Sequence, residues 1–154
     1  MTDPTTGPTT VPGPARALAL SSGPGRILVF VYGLFAVAAT GRSAVQLGTE
    51  ADRAPVAYSL SLFAAVVYLV ATTCLLLGGR RAWRVAVVSC SIELVGVLVT
   101  GVLSYVDTAL FTDKTVWSHF GQGYGYLPLV LPLLGLAWLR HTRPDGPASR
   151  PAAA

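Results

Sequence analysis

The chain has 154 residues, of which 53% are hydrophobic and only 12% are charged, and its formal net charge is +4. A soluble domain normally carries about 25% charged residues, so the composition excludes an ordinary water-soluble globule. The apolar residues are clustered, and the stretches 54–79 and 115–139 contain no Asp, Glu, Lys or Arg. Each is long enough to cross about 30 Å of hydrocarbon. The sequence therefore predicts a small multi-pass membrane protein whose surroundings are a lipid bilayer.

The basic residues lie between the apolar stretches instead of forming one stripe on a polar face, so nucleic acid is not a predicted partner. The two cysteines, Cys74 and Cys90, both fall inside apolar stretches. Their spacing fits neither a disulfide framework nor a metal site, and free cysteine is among the most buried residue types. We therefore expect two buried thiols that pack like alanine.

Both ends of the chain differ from its middle. Residues 1–25 are rich in Pro, Gly and Thr, a composition that cannot bury enough surface to offset the loss of backbone entropy. They are predicted to be a disordered cytoplasmic tail, and so are residues 141–154. Between the tails, residues 26–140 are predicted to form one all-α membrane domain.

Four apolar segments predict four transmembrane helices. Pro55 suits the first turn of the second helix, and Gly78 with Gly79 provides its stop. The start of the fourth helix is the least defined boundary, because residues 115–120 are predicted to form a turn at the membrane interface. The predicted helices cover about 27–47, 55–77, 85–106 and 123–139.

The distribution of arginine predicts the orientation. Cytoplasmic loops of membrane proteins carry an excess of Lys and Arg. The links on the other side hold only Arg53 and Lys114, so both termini are predicted to be cytoplasmic. The arginines of the two tails and of the link at 78–84 are Arg16, Arg26, Arg80, Arg81, Arg84, Arg140, Arg143 and Arg150.

A signal peptide is the alternative interpretation of the first segment. Arg26, the apolar stretch 27–35 and Ala36-Val-Ala38 resemble the three regions of such a peptide. The long leader before the apolar stretch and the apolar continuation after it favour a retained helix. Cleavage would leave three helices in the same orientation.

Glu93 is the most informative residue, because it is an acid inside the third apolar segment. A carboxylate at that depth costs several kcal/mol unless it is paired, protonated or hydrated. Polar and small residues at three- and four-residue steps share its helix face, which we expect to point into the bundle. Glu93 then either carries a proton or contacts a substrate, or it fixes helix register through hydrogen bonds to Ser, Thr or Tyr. The face consists of Ser89, Glu93, Gly96, Thr100, Ser104 and Asp107.

Arg42 lies near the outer end of the first segment, with Gln46 one helical turn further on. It is predicted to reach toward water or to pair with one of the acids of the outer end, Glu50, Asp52 or Asp107. A direct pair with Glu93 is less favoured, because about 10 Å of depth separates the two positions. Gln46, Glu50 and Asp107 then line an outer funnel with Arg42, or they form a solvated helix end.

The stretch 117–128 is glycine-rich and contains His119. It is predicted to be either an external hinge or binding loop in which His119 titrates, or an elbow whose Trp and Tyr sit among lipid headgroups. Gly121 and Gly125 form a G-x-x-x-G pair that would permit close helix approach if the segment is helical. No second metal ligand accompanies His119 at a suitable spacing, and no nucleotide-binding or hydrolase motif occurs. We therefore predict no metal, no cofactor and no enzymatic activity.

Several short stretches resemble the small four-helix integral membrane proteins of high-GC actinobacteria. The preference for Arg over Lys and the content of Ala, Val and Gly fit such a source. The resemblance implies a multi-pass protein of the bacterial plasma membrane and implies no activity. It rests on Arg42-Ser-Ala-Val-Gln46, Ala54-Pro-Val-Ala-Tyr58, Glu93-Leu-Val-Gly-Val-Leu98, Val116-Trp-Ser-His-Phe-Gly121 and Tyr126-Leu-Pro-Leu-Val-Leu-Pro132.

Two functions are consistent with these observations. The first is a non-enzymatic accessory or structural subunit that works through helix–helix contacts with a membrane-protein partner or a second copy of the chain. The alternative is a small proton-linked transporter or channel subunit. In it Glu93 would be the proton carrier, and Arg42, Gln46 and Asp107 would line the outer mouth.

Overall fold

The computed structural model describes residues 23–49, 54–107 and 113–143, and almost all of them are helical. No β-strand occurs within these ranges, which confirms the predicted all-α class. The first three α-helices are long and apolar enough to cross a membrane, whereas the fourth has 15 residues. In chain order the elements are α1 (Pro24–Thr49), α2 (Pro55–Leu77), α3 (Gly79–Val106), a 3₁₀ segment (Ser118–Tyr124) and α4 (Leu127–His141). Most of the two predicted disordered tails, 1–25 and 141–154, lies outside the described residues. Where the structure describes them, the prediction is wrong at Pro24, Gly25 and His141, which are helical.

The boundaries of α2 agree with the prediction. Pro55 occupies the first turn, and Gly78 ends the helix with a positive φ of 64°. The other boundaries differ. Helix α1 extends beyond 27–47 at both ends, and α3 begins at Gly79 and not near Val85. Apolar content marks only the part of a helix that lies in hydrocarbon, and the arginines that follow Gly79 are good helix formers that continue the helix outside it.

The fourth apolar segment is divided. Its predicted range, 123–139, covers the end of the 3₁₀ segment and most of α4, which begins at Leu127 and ends at His141. Pro128 lies within the first two positions of α4, where a missing N–H costs nothing. The second proline, Pro132, lies inside the helix and is buried.

Helices adjacent in the chain are adjacent in space. Helix α2 packs against both α1 and α3, α3 packs against α4, and α4 meets α1 along a shorter seam. The links between the first three helices are short, and Gly78 is the sole residue between α2 and α3, so these helices run antiparallel. The link from α3 to α4 is longer and covers residues 107–126. Helices α1 and α3 face each other diagonally across the bundle without lying side by side.

Residues 113–126, which we call the elbow, connect α3 to α4. The elbow packs against the C-terminal half of α3, where glycines leave room for its aromatic rings. A Cβ atom on Gly96 would lie 2.5 Å from the Trp117 ring, and one on Gly101 would lie 2.4 Å from the Phe120 ring. Because these glycines precede the end of α3 by about 15 and 8 Å, the elbow descends along α3 from the end of that helix.

The outward faces of the helices are apolar. Phe30, Val37, Leu77 and Val88 each expose more than half of their surface. In water such a surface would be unfavourable, whereas in a bilayer it contacts acyl chains at no cost. The distribution of apolar side chains therefore matches a membrane environment for this fold.

Candidate functional site

Glu93 lies near the middle of α3, about 20 Å from either end of the helix, and its side chain is completely buried. Ser89, Thr100 and Ser104, which share its helix face, are buried as well. The structure therefore confirms that this part of the polar face points into the bundle. Asp107, at the end of the same face, is exposed at the C-terminus of α3.

A hydrogen bond joins Glu93 to helix α1. The Tyr32 hydroxyl donates to Glu93 Oε2 at 3.0 Å and lies 3.4 Å from the Sγ atom of Cys90. Gly135 of α4 permits this approach, since a Cβ there would lie 3.0 Å from both Cys90 Sγ and the Tyr32 hydroxyl oxygen. The bond connects α1 to α3 across the diagonal of the bundle, so the buried acid joins two helices that otherwise do not pack together.

Three further polar atoms surround this bond without a hydrogen-bond partner among the described residues. They are Glu93 Oε1, the Tyr68 hydroxyl and Trp117 Nε1. Tyr68 lies on α2, its ring centre is 6.1 Å from that of Tyr32, and its hydroxyl is close to Glu93 and Trp117 without hydrogen-bond geometry. We call Tyr32, Tyr68, Cys90, Glu93 and Trp117 the Glu93 cluster.

The Glu93 cluster can accommodate a proton. An unpaired polar group in the bilayer interior is costly, and a protonated carboxyl gains an O–H donor that the nearby Tyr68 hydroxyl can accept. The same arrangement can also serve only to hold the helices in register through the bond from Tyr32. Within the described residues, no three of His, Cys, Asp or Glu are close enough together to hold a metal ion.

Arg42 is directed away from this cluster. Its Nε donates to Gln46 Oε1 at 3.3 Å, its Nη1 donates to the Tyr124 hydroxyl at 3.0 Å, and its Nη2 donates to the carbonyl oxygen of Lys114. The structure thus brings Arg42 and Gln46 together with the elbow and separates both from Glu93. Two predicted partners of Arg42, Glu50 and Asp52, lie outside the described residues.

The elbow is not an α-helix, so the condition under which Gly121 and Gly125 would permit close helix approach is not met. Positive φ angles occur at His119 (51°), Phe120 (59°) and Gly121 (78°). The His119 ring meets the Tyr105 ring edge-on, with 4.5 Å between their centres. Pairing of Thr115 with Ser118 ties the first turn of the elbow together, with the Thr115 N–H donating to Ser118 Oγ at 2.8 Å.

The position of Trp117 differs from one of the two interpretations predicted for this stretch. The interpretation of the elbow as an interfacial segment placed its Trp and Tyr among headgroups, but Trp117 is only 1% exposed. It fills the space above Gly96 and packs edge-on against Phe63 of α2. Tyr126 and Tyr105 are about half exposed, as an interfacial position requires.

Sequence reasoning did not single out Tyr32 and Tyr68. A usable signal was present, because Tyr68 lies near the middle of the second apolar segment and Tyr32 lies five residues inside the first, whereas tyrosine in membrane proteins is enriched at the two interfaces. A tyrosine at mid-depth needs a buried partner for its hydroxyl. Glu93, the acid inside the third apolar segment, is the obvious acceptor.

Comparisons with protein-family models, curated proteins and solved structures give no match for this chain. The resemblance to small actinobacterial membrane proteins therefore remains a prediction that rests on the quoted residues. The fold defines the class of protein. The described residues form an all-helical structure in which three helices are long and apolar enough to cross a membrane.

Proposed function

We propose that the chain is a four-span integral membrane protein of the bacterial plasma membrane with both termini in the cytoplasm. It acts as a non-enzymatic accessory or structural subunit through contacts between helices. Helix α4 alone is about 22 Å long, shorter than the hydrocarbon layer. The elbow supplies the remainder of the fourth crossing. Its residues 115–118 are buried, and irregular backbone is tolerated at membrane depth where protein covers it.

The observation that supports helix–helix contact is an unused glycine face on α1. Glycines 33, 96, 101 and 135 each lie against a side chain of a neighbouring element, whereas a Cβ on Gly41 or Gly48 would meet nothing within 4 Å among the described residues. The two glycines are seven residues apart and therefore share one side of the helix.

Packing against another helix would offset the energetic cost of the glycines on this face. Glycine in a helix interior costs about 1 kcal/mol relative to alanine, and no described residue lies close enough to Gly41 to require the absence of a Cβ. Small residues let two helices approach closely in a bilayer, where packing drives association. Between the glycines, Val45 exposes 64% of its surface. We therefore assign the contact to Gly41, Val45 and Gly48, the α1 glycine face.

A pull-down with a matched control tests this proposal. The full chain, expressed at native level and extracted in a gentle detergent, should recover a stoichiometric membrane-protein partner or a second copy. Gly41→Leu should reduce that recovery about tenfold, because a leucine prevents close approach. Ser59→Leu adds similar bulk at an exposed position on α2 and should leave recovery unchanged. A monomeric wild-type chain, or equal recovery from both variants, contradicts the proposal.

A second candidate is a proton-linked transporter or channel subunit, and the unpartnered Glu93 Oε1 favours it. In proteoliposomes with a pH gradient, the wild-type chain should then carry a proton flux that Glu93→Gln abolishes. Asp113→Asn is the control, because it makes the same acid-to-amide change outside the Glu93 cluster. Absence of flux from the wild-type chain, or unchanged flux in Glu93→Gln, rules out this alternative.

A further inference from the structure

A polar pocket of about 370 Å³ lies where α1 meets the elbow. It differs in character from the grooves between α2 and α3 and between α1 and α4, whose linings are mainly Leu, Val, Ile, Phe and Trp. Those grooves face acyl chains. The polar pocket is lined by Arg42, Lys114, Ser118, His119, Gln122 and Tyr124, among others.

The Arg42 guanidinium is held in place at the pocket. Each of its three nitrogens donates a hydrogen bond, to Gln46, to Tyr124 and to the backbone of Lys114. A guanidinium has five N–H groups, more than these acceptors consume. Because the planar group is oriented in advance, a further acceptor that enters the pocket does not have to immobilise it.

The charges of the pocket favour an anion. Arg42 and Lys114 are both cationic, and no carboxylate lines the pocket in the part of the chain that the structure describes. The neighbouring acid, Asp113, is directed elsewhere. Its Oδ2 accepts from the Tyr58 hydroxyl at 3.0 Å, and its Oδ1 accepts from the Lys114 N–H at 2.7 Å.

We propose that this pocket binds a phosphate group between the side chains of Arg42 and Lys114. The Arg42 guanidinium has two N–H groups left, one on each Nη nitrogen, that can donate to phosphate oxygens. The Lys114 ammonium supplies a point charge to a further oxygen. Both a phospholipid headgroup and free phosphate present this group. The proposal concerns a ligand site on α1 and the elbow, and it does not depend on the α1 glycine face or on Glu93.

Phosphate binding can be measured with the full chain in two settings. In phosphate-free maltoside micelles, inorganic phosphate should raise the unfolding temperature, whereas chloride at equal ionic strength should not. In native mass spectrometry, the chain should retain phosphatidylglycerol more strongly than phosphatidylcholine. Binding to inorganic phosphate identifies a site open to free phosphate, and retention of phosphatidylglycerol alone identifies a headgroup site.

Three variants locate the site. Arg42→Lys keeps the charge but loses the fork, and Lys114→Gln removes a charge whose side chain is exposed. Each should weaken binding about tenfold, which is the loss of one charge-assisted hydrogen bond. Arg26→Gln removes an equal charge from the other end of α1 and should have no effect.

Lys114→Gln keeps the test decisive if Arg42→Lys fails to fold. The described hydrogen bonds of Lys114 involve its backbone, so its side chain can be changed without breaking them. The proposal is overturned if neither probe binds, if Lys114→Gln binds as tightly as wild type, or if Arg26→Gln weakens binding equally. The last result would show general electrostatic attraction in place of a site.

Discussion

Glu93 is completely buried near the middle of α3, and it accepts a hydrogen bond from a helix on the far side of the bundle. A buried polar group that loses its partner costs about 1–3 kcal/mol. The Tyr32–Glu93 bond therefore adds little to the free energy of unfolding by itself, but its removal is costly because it leaves a buried carboxyl group without a partner. It selects the one rotation of α1 that brings Tyr32 to face α3.

The first prediction concerns this bond. Tyr32→Phe should lower the free energy of unfolding by about 1–3 kcal/mol in the wild-type background, because Glu93 then loses its donor. In a Glu93→Met background, where the acceptor is gone, the same change should cost much less. The difference between the two costs should be about 1 kcal/mol, as for hydrogen bonds inside other membrane proteins.

Reversible unfolding in mixed detergent micelles measures all four chains of this cycle. Tyr126→Phe is the control, because Tyr126 is 46% exposed and its change should alter the free energy of unfolding by less than about 0.5 kcal/mol. If Tyr32→Phe costs the same with and without Glu93, the bond has no energetic role.

The sequence predicted the burial of Glu93 but not its partners. Three- and four-residue spacing places polar residues on one face of α3, and lipid forces that face inward. Which helix contacts that face depends on how each helix is rotated about its own axis. The spacing of polar residues along α3 does not determine the rotation of the other helices.

At the scale of elements, the elbow was the hardest part to predict. Local propensity indicated only a weak helix in a glycine-rich stretch. The positive φ angles of His119 and Phe120 are unfavourable for such residues, at about 1–2 kcal/mol each. Packing of the Trp117 and Phe120 rings on α3 compensates for them, and those contacts are distant in sequence. Tertiary contacts of this kind are invisible to any local pattern.

The second prediction isolates backbone conformation in the elbow. Gly125 and Gly123 both have open space where a Cβ would be placed, but only Gly125 has a positive φ, of 63°. Gly125→Ala should therefore destabilise the fold by about 1–2 kcal/mol. Gly123→Ala should be neutral within about 0.5 kcal/mol. The same unfolding assay in micelles measures both.

Each of these two variants serves as the control for the other. Both change glycine to alanine in the elbow at a position without a steric clash, so they differ only in the backbone conformation of the substituted residue. Equal effects of the two substitutions would show that the left-handed conformation at Gly125 contributes no strain. A larger effect at Gly123 would contradict the described path of the elbow.

At the scale of the whole molecule, the charges divide between the two ends of the bundle. Arg80, Arg81 and Arg84 are exposed in the first turns of α3, and Arg140 is exposed in the last turn of α4. Two contacts tie this end together. Trp83 Nε1 donates to the Leu139 carbonyl oxygen at 2.8 Å, and the Arg143 guanidinium lies 5.7 Å from the centre of the Trp83 ring.

The two contacts made by Trp83 bear on the length of α4. Because they fix the last turn of the helix against α3, the 15 residues of α4 cannot slide along the bundle. The elbow must then cover the distance from the start of α4 to the opposite end. The short fourth helix and the path of the partly buried elbow along α3 are therefore two consequences of one anchoring point.

The last prediction is that this arginine-rich end lies in the cytoplasm. A fluorescent reporter fused after residue 143 should be active, because it folds only in the cytoplasm, whereas a phosphatase fused after residue 113 should be active outside. Replacing Arg80, Arg81 and Arg84 by Gln removes three of the charges that retain this end. That variant should populate both orientations, and both reporters should then give partial signals.

Arg42→Gln changes a charge at the opposite end and should leave the orientation intact. An active phosphatase after residue 143 in the wild-type chain would reverse the assignment. An inactive phosphatase after residue 113, with an active fluorescent reporter after 143, would show that the elbow and α4 do not cross the bilayer.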